Sequence, residues 1–464
     1  MKLDEAAYEE FSKKFDGSLW RPGDSGYGKA RTLWNAELDY FPALIAQCRS
    51  VAQVQAAIKF AKSADLKVTV RGGGHDIAGR SMADGALVVD VSAMNNVQVD
   101  PERQLAICGG GSTWGDLDRA SQAHGLATTG GQASTTGIAG VSLGGGVGWL
   151  MRRYGLAIDN LLAVTIVTPS GDLIRTHEGS FDELFWALRG GGFGFGVIVS
   201  LEFQLHSVGQ VVAGKLFHPI GRLPEALRLI EEVAEKAPDD LTVLLVSGRV
   251  PDIPEVDANV RGDAGFSIVV CQNLAAGGDN AAAGAALRDM QNFGPPVGNT
   301  VRKISYIELQ TMYDASPAAL YGYGQSVQSL YLKGMDDRVI QVISQRLNEA
   351  PSGMCVIELI SLGGAIGRVK VSETPFSGRN DTLFCVFAAT WSEPEQAAEH
   401  MRWTRESGEA IREAAGTGRT YINYIEAPHW KEQHRESLGE DAIARLRALR
   451  DEMDPEGVFL SRMD

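Results

Sequence analysis

The chain has 464 residues, 44% of them hydrophobic and 22% charged, so it can bury a sizeable core and is not an intrinsically disordered polymer. At roughly 100–200 residues per domain, the length implies two or three domains. An excess of acidic residues gives a net charge of −15, which repels phosphate backbones and argues against nucleic-acid binding.

The first fifteen residues are charged and amphipathic and lack the apolar centre of a signal peptide. No run of about 18 apolar residues follows, so a membrane-free, cytoplasmic protein is expected. Val51, Val54, Ile58 and Ala61 share one helical face, predicting a helix over 51–62 with Ser50 as N-cap. A strand at 67–70 runs into the turn RGGGHD (71–76). Strands are predicted at 86–91, 97–99 and 105–108, a hairpin at 162–176 turning at Ser170-Gly171-Asp172, a helix at 182–188 and a strand at 197–205.

After about residue 206 the glycine runs stop. Strands are predicted at 211–217, 241–248, 266–272, 326–332, 354–361 and 383–390, and helices at 223–236, 279–291, 338–349 and 393–414. This order suggests an antiparallel sheet with helices on one face, giving an α+β fold. The tail carries a helix at 441–453, stopped by the turn DPEG (454–457). The expected division is 1–205, 206–417 and a C-terminal segment 418–464.

The five cysteines (48, 108, 271, 355 and 385) are widely spaced, with no CxxC pair. An odd, sparse set fits buried thiols in a reducing compartment, and no metal-ligand spacing is present.

Glycine is the compositional exception, at 54 residues. The main runs, 72–74, 109–111, 144–148 and 190–196, all miss the third glycine of a dinucleotide-binding G-x-G-x-x-G turn. No GxxxxGK[ST] phosphate loop and no G-x-S-x-G nucleophile elbow occurs. What remains is four glycine clusters, each beside a predicted strand. Without Cβ atoms, backbone N–H groups can converge on an anion, so an acidic protein can hold a cofactor diphosphate. The alternative for any one cluster is a tight turn. His75 closes the first cluster on a loop suited to holding a ring close.

These residues resemble the FAD-binding domain of the vanillyl-alcohol-oxidase/p-cresol-methylhydroxylase superfamily, in its berberine-bridge-enzyme-like branch. The matching segments are RGGGH (71–75), LVVD (87–90), GGGVGWL (144–150), RYGLAIDN (153–160), FWALRGGG (185–192) and FGV (195–197), with YINY (421–424) and DP (454–455) in the tail. The resemblance implies a two-domain flavoprotein with FAD bonded through His75. It places Arg71, Gly72, Gly73, Gly74, Asp76 and Gly79 in the first cofactor loop, and Gly137 and Gly140 in the second. Gly144, Gly145, Gly148 and Val197 would line the rest of the channel.

Many relatives attach the flavin a second time through a cysteine. The corresponding position here is Ala133, so a single link is expected. Thr136 takes a position over the flavin where valine is common among oxidases, and its hydroxyl is either locally bonded or a modifier of oxygen chemistry. The branch carries acidic residues in a segment matched here by GGAIGRVKVSETPFSGR (363–379), in which Arg368, Val371 and Gly378 replace two acids and a histidine. FGFG (193–196) lacks the family's asparagine, and the terminal F-x-x-N reads Phe459 to Arg462.

Hydride transfer to a flavin from an alcohol or amine calls for a proton acceptor. Glu358, inside the apolar run CVIELI (355–360), is the replacement candidate: either solvent-facing or buried over the site with a raised pKa. Asn423 and Tyr424 return from the tail toward the flavin by resemblance. Tyr321, Tyr323 and Tyr331 could line a pocket or fill core. The expected activity is oxidation of a small organic substrate, with molecular oxygen as second partner. An oxygen-transferring enzyme and a non-catalytic flavin protein are the alternatives. Substrate and oligomeric state are not legible.

Overall fold

A computed structural model describes residues 4–274 and 277–460. Arg462 of the terminal motif therefore lies outside the described residues.

The N-terminal half is built on two main sheets. In the first, strands run in the order Ser18–Trp20, Leu44–Gln47, Leu87–Asp90 and Val68–Arg71. Its last three strands are parallel. Leu44, Ile45, Ala46, Leu87, Val88 and Val89 are all buried, the continuous apolar character of a strand covered on both faces. Helix Val51–Ser63 lies on this sheet, burying Val54, Ala57, Ile58 and Ala61, and Ser50 caps it by accepting from the Gln53 N–H at 3.4 Å.

The second sheet is antiparallel, ordered Val97–Asp100, Leu105–Gly109, Val197–Gln204, Leu161–Val167 and Leu173–His177. Thr168 N–H closes the expected hairpin on Asp172 O at 2.9 Å, around Gly171 at φ +91°.

From residue 210 the chain builds one eight-stranded antiparallel sheet. Its centre runs Gln210–Pro219, Ala264–Asn273, Leu241–Arg249, Cys355–Ser361, Leu383–Trp391 and Gly324–Leu332. Helices Leu223–Lys236, Asn280–Gln291, Asp337–Asn348 and Ala397–Ala415 cover one face, where Leu227, Ile230, Ile343 and Trp403 meet Leu245, Ile268, Ile357 and Phe387. Each such side chain contributes about 1.5–3 kcal/mol by burial.

Strand periodicity sends alternate residues to the other face. There Leu244, Val269, Ile360 and Phe384 meet Trp149 and Leu150 of the N-terminal half and Tyr421 of the tail. The α+β, two-domain reading holds, and the uncovered part of this second face is what the site uses.

The tail returns to the first sheet. Val68 donates to Val458 O and accepts from Leu460 N–H, each at 2.9 Å. Asp454 stops helix Glu440–Met453 and accepts from Val458 and Phe459 N–H at 2.8 and 2.9 Å. All five cysteines are buried and unbridged. Among the described residues no helix is long and apolar enough to cross a membrane.

Candidate active site

Strand Val68–Arg71 delivers the chain into the first glycine loop at one wall of a cavity of about 530 Å³. The second face of the large sheet forms another wall. Gly72 to Ile77 all line this cavity, and their six backbone N–H groups donate to no acceptor among the described residues. Gly73 meets the second glycine loop: a Cβ there would lie 2.6 Å from Gly137 N, and one on Gly137 would lie 2.8 Å from Gly73 N. Only glycine at both positions permits that approach. Gly140 also lines the cavity, and a Cβ there would meet nothing within 4 Å, so this wall is open toward the cavity.

His75 sits between aromatic rings, stacked on Trp34 at 5.3 Å and edge-on to Tyr321 at 5.6 Å. Its Nε2 is buried without a hydrogen-bond partner. Burial pushes its pKa down to about 4, so the imidazole is neutral at physiological pH. Free amides, an open glycine wall and an unpartnered neutral imidazole fit a cofactor carrying a diphosphate and a flat ring.

Glu358 faces the same cavity. Residues 355, 357 and 359 point into the helix-covered core, so 356, 358 and 360 point the other way. Val246 and Val386 are its cross-strand neighbours. The carboxyl has no hydrogen-bond partner among the described residues and keeps some accessible surface, on a cavity deep within the molecule. Burial raises its pKa to about 7, against a smaller lowering by the Lys215 charge. Of the two sequence alternatives for this residue, the buried one is found.

Asn423 and Tyr424 also line the cavity. Asn423 Nδ2 donates to Val141 O at 3.1 Å and to Tyr421 Oη at 2.9 Å. Tyr424 stacks on Phe384 at 5.9 Å. Thr136 lines the cavity, but its hydroxyl donates to Ala133 O at 2.8 Å, the local bond that was one of its two readings. Ala133 is on the cavity wall, whereas none of the five cysteines is.

Several residues expected on the cofactor channel sit elsewhere. Gly144 packs against Asn423, Gly145 against Phe376, and Gly148 against Gly130 O, so these glycines serve close backbone packing. Val197, on the second sheet, is buried in the core it shares with the first. Arg71 donates to Ala30 O and lies 3.8 Å from Asp90, and Gly79, at φ +67°, abuts Tyr40. Asp76 does line the cavity, where it pairs with Arg80.

The segment expected to carry the branch's acids contributes nothing to the cavity. Arg368 pairs with Asp239, Val371 is exposed, Gly378 is packed on Tyr331, and Arg379 forms a buried pair with Asp159 at 2.7 Å.

Sequence reading missed other cavity residues: Trp34, Arg80, Phe193, Tyr313 and Trp430. The Arg80 guanidinium lies 4.0 Å from the Trp430 ring and 4.4 Å from that of Phe193. Tyr313 stacks on Trp149 at 6.0 Å and carries the Lys215 ammonium 4.6 Å over its ring. Only Phe193, which opens FGFG (193–196), and Arg80, five residues after His75, had positional grounds for suspicion. Of the three further tyrosines, Tyr331 is core, Tyr323 lends its carbonyl to Ala36 N–H at 2.9 Å, and Tyr321 donates to Gly73 O at 2.8 Å.

Known proteins resemble this chain in sequence and fold. A family described as an FAD binding domain matches residues 42–177. (R)-6-hydroxynicotine oxidase of Paenarthrobacter nicotinovorans is 28% identical over 462 residues, 96% of this chain and 95% of that protein. The solved structure of 6-hydroxy-D-nicotine oxidase from Arthrobacter nicotinovorans superposes with a TM-score of 0.84 at 27% identity, covering 97% of this chain and 98% of that one. Berberine bridge enzyme, solved as a variant with (S)-reticuline, shares the fold at 19% identity, with a TM-score of 0.84 over 100% of this chain and 99% of that one.

This chain is an FAD-dependent oxidoreductase that resembles the berberine-bridge-enzyme-like flavoproteins in sequence and fold. In this oxidoreductase a single segment of the second half holds both cavity-lining glycine loops. Gln310 donates to Gly131 O at 3.0 Å, Asp314 accepts from Ser134 N–H at 3.1 Å and Oγ at 2.5 Å, and Tyr321 reaches the Gly73 carbonyl. Gln310 also donates to Asp118, a buried carboxyl whose pKa burial raises to about 7.

Proposed function

We propose that this flavoprotein is an oxidase that oxidises a small organic substrate at the face of the large sheet, with FAD held through one covalent link at His75. Residues 1–205 form the FAD-binding unit, 206–417 the substrate unit, and 418–464 the segment that returns to the first. FAD, when bound, supplies the ring that accepts a hydride from the substrate C–H.

The remaining work falls to the chain. Gly72, Gly73, Gly74 and Asp76 offer backbone amides to the diphosphate. Gly137 and Gly140 keep the second loop free of side chains. The neutral His75 imidazole is the nucleophilic form a tether requires, and with alanine at 133 the chain has no thiol on that wall for a second bond. Glu358 is the proton acceptor. Its pKa of about 7 makes it a base matched to neutral pH, and apolar neighbours keep water from competing. Asn423 and Tyr424 close the wall from the tail. Thr136, its hydroxyl spent on Ala133 O, supports an oxidase using dioxygen as terminal acceptor over an enzyme that transfers oxygen to substrate.

The observation that carries this reading is an unpartnered carboxyl in the same cavity as a loop of free amides and a neutral histidine. Replacing Glu358 with glutamine keeps the side chain's shape and removes the base. Anaerobic bleaching of the flavin by substrate, followed by stopped flow, is expected to slow by roughly 10²–10⁴-fold. The rise of that rate with pH through about 7 is expected to vanish with it. An unchanged rate and pH profile would remove Glu358 from the chemistry.

A further inference from the structure

The sheet wall of the cavity is almost wholly apolar, presenting Val246, Val327, Val356, Ile360 and Val386. Gln325 also faces it, but its carbonyl accepts from Thr390 Oγ1 at 2.8 Å and its amide reaches Pro317 O at 3.5 Å. Among the sheet residues that line the cavity and the two tyrosines packed over them, unused hydrogen-bonding capacity therefore remains at three places. These are the Glu358 carboxyl, the Tyr313 hydroxyl, which is buried without a partner, and the Tyr424 hydroxyl. The three are close enough that the Glu358 charge raises the pKa of both phenols, after burial as the main cause. The phenols thus stay protonated and act as donors.

We infer that the substrate is a compact apolar alcohol whose one carbinol hydroxyl sits among Glu358, Tyr313 and Tyr424. This rests on the oxidase reading above. A hydroxyl donates one hydrogen and accepts at two lone pairs. The unused set matches it, with one acceptor in the carboxylate and two donors in the phenols. Oxidation then balances. The carbinol carbon gives its hydrogen with two electrons to the flavin, and the hydroxyl proton goes to Glu358. The O–H bonding pair becomes the second bond of a carbonyl. Dioxygen then takes the two electrons together with two protons, the hydrogen delivered from the carbinol carbon and the proton held by Glu358, and leaves as hydrogen peroxide. As negative charge grows on the substrate oxygen, hydrogen bonds from the two phenols stabilise it.

Two competing substrate classes fit less well. An ammonium would face Lys215, whose charge lies over Tyr313, with only one carboxyl, itself partly protonated at neutral pH, as counter-ion. An oligosaccharide would press hydroxyls against valines, and each unpaired group costs roughly tenfold or more in affinity.

The test uses the FAD-loaded protein with benzyl alcohol, benzylamine and xylobiose under anaerobic conditions, reading loss of the flavin absorbance. Benzyl alcohol is expected to bleach it, benzylamine at least roughly a hundredfold more slowly, and xylobiose not at all. Calorimetric titration with acetophenone, a carbonyl that can accept from both phenols, supplies a readout independent of turnover. The Tyr313→Phe variant is expected to bind it roughly five- to tenfold more weakly at unchanged FAD content. Faster bleaching by the amine or the disaccharide, no bleaching by the alcohol, or equal acetophenone affinity in Tyr313→Phe would each overturn the inference. Protein that carries no FAD defeats the oxidase reading instead, and the acetophenone comparison still reports on the tyrosine.

Discussion

Glu358 shows how one side chain can be readable in part. A carboxylate inside CVIELI breaks an apolar run, and the sequence alone leaves its face open. The register decides it, because 355, 357 and 359 are spoken for by the helix-covered core. Lys215 and Tyr313 were not legible at all. They come from strands and loops far away in the chain, and neither residue stands out from its neighbours. The raised pKa has a stability consequence. The folded protein keeps the Glu358 proton up to about 7, while the unfolded chain releases it near 4.5. Stability supplied by this group is thus fully present below 4.5 and is lost as pH rises through 7. Glu358→Gln cancels that loss, so at alkaline pH the variant is expected to be more stable by on the order of 2 kcal/mol. Denaturant unfolding at acidic and alkaline pH checks this, and a variant that tracks the parent at both would contradict it.

At the scale of elements, strands with alternation or strong β-branched character and helices with a clear apolar face were read close to their positions. Strand Leu44–Gln47 was missed because three consecutive buried residues in so short a strand give no period. Helix Ile138–Gly144 was missed because a glycine-rich run has little helical propensity and is held by its surroundings. The glycine clusters were recognised as a class, but not by role. Gly73 and Gly137 bring two loops into contact, Gly144 to Gly148 pack against the tail and the neighbouring loop, and Gly140 faces open space. This yields a paired prediction. Gly137→Ala drives a methyl into the Gly73 backbone and is expected to destabilise by about 1–3 kcal/mol. Gly140→Ala adds a methyl that no protein atom opposes, and its helix gains up to about 1 kcal/mol. That variant is expected to keep or raise its Tm without cofactor yet to take up less FAD. Thermal melts and the ratio of flavin to protein absorbance check both, and full FAD loading in Gly140→Ala would place the cofactor off this wall.

Across the whole molecule, the site exists because one sheet is covered on only one face by its own helices. The other face meets the N-terminal half and the returning tail, and the cavity lies where that contact is incomplete. That the fold has two parts was suggested by the change in glycine usage along the chain, but the contact between the parts was not legible, since it depends on how the two surfaces fit. Tyr421 is a principal knot, its hydroxyl accepting from Gly146 N–H at 3.0 Å and from Asn423 at 2.9 Å. Tyr421→Phe leaves both donors short of a partner and is expected to cost about 1–3 kcal/mol. A Tm equal to that of the parent would assign the docking of the tail to packing alone.

The tether at His75 is the claim on which the rest depends. Purified parent protein and His75→Ala, each saturated with FAD, are precipitated with acid and the flavin absorbance is read in pellet and supernatant. The account predicts flavin in the parent's pellet and in the variant's supernatant. Flavin that washes out of the denatured parent would contradict it.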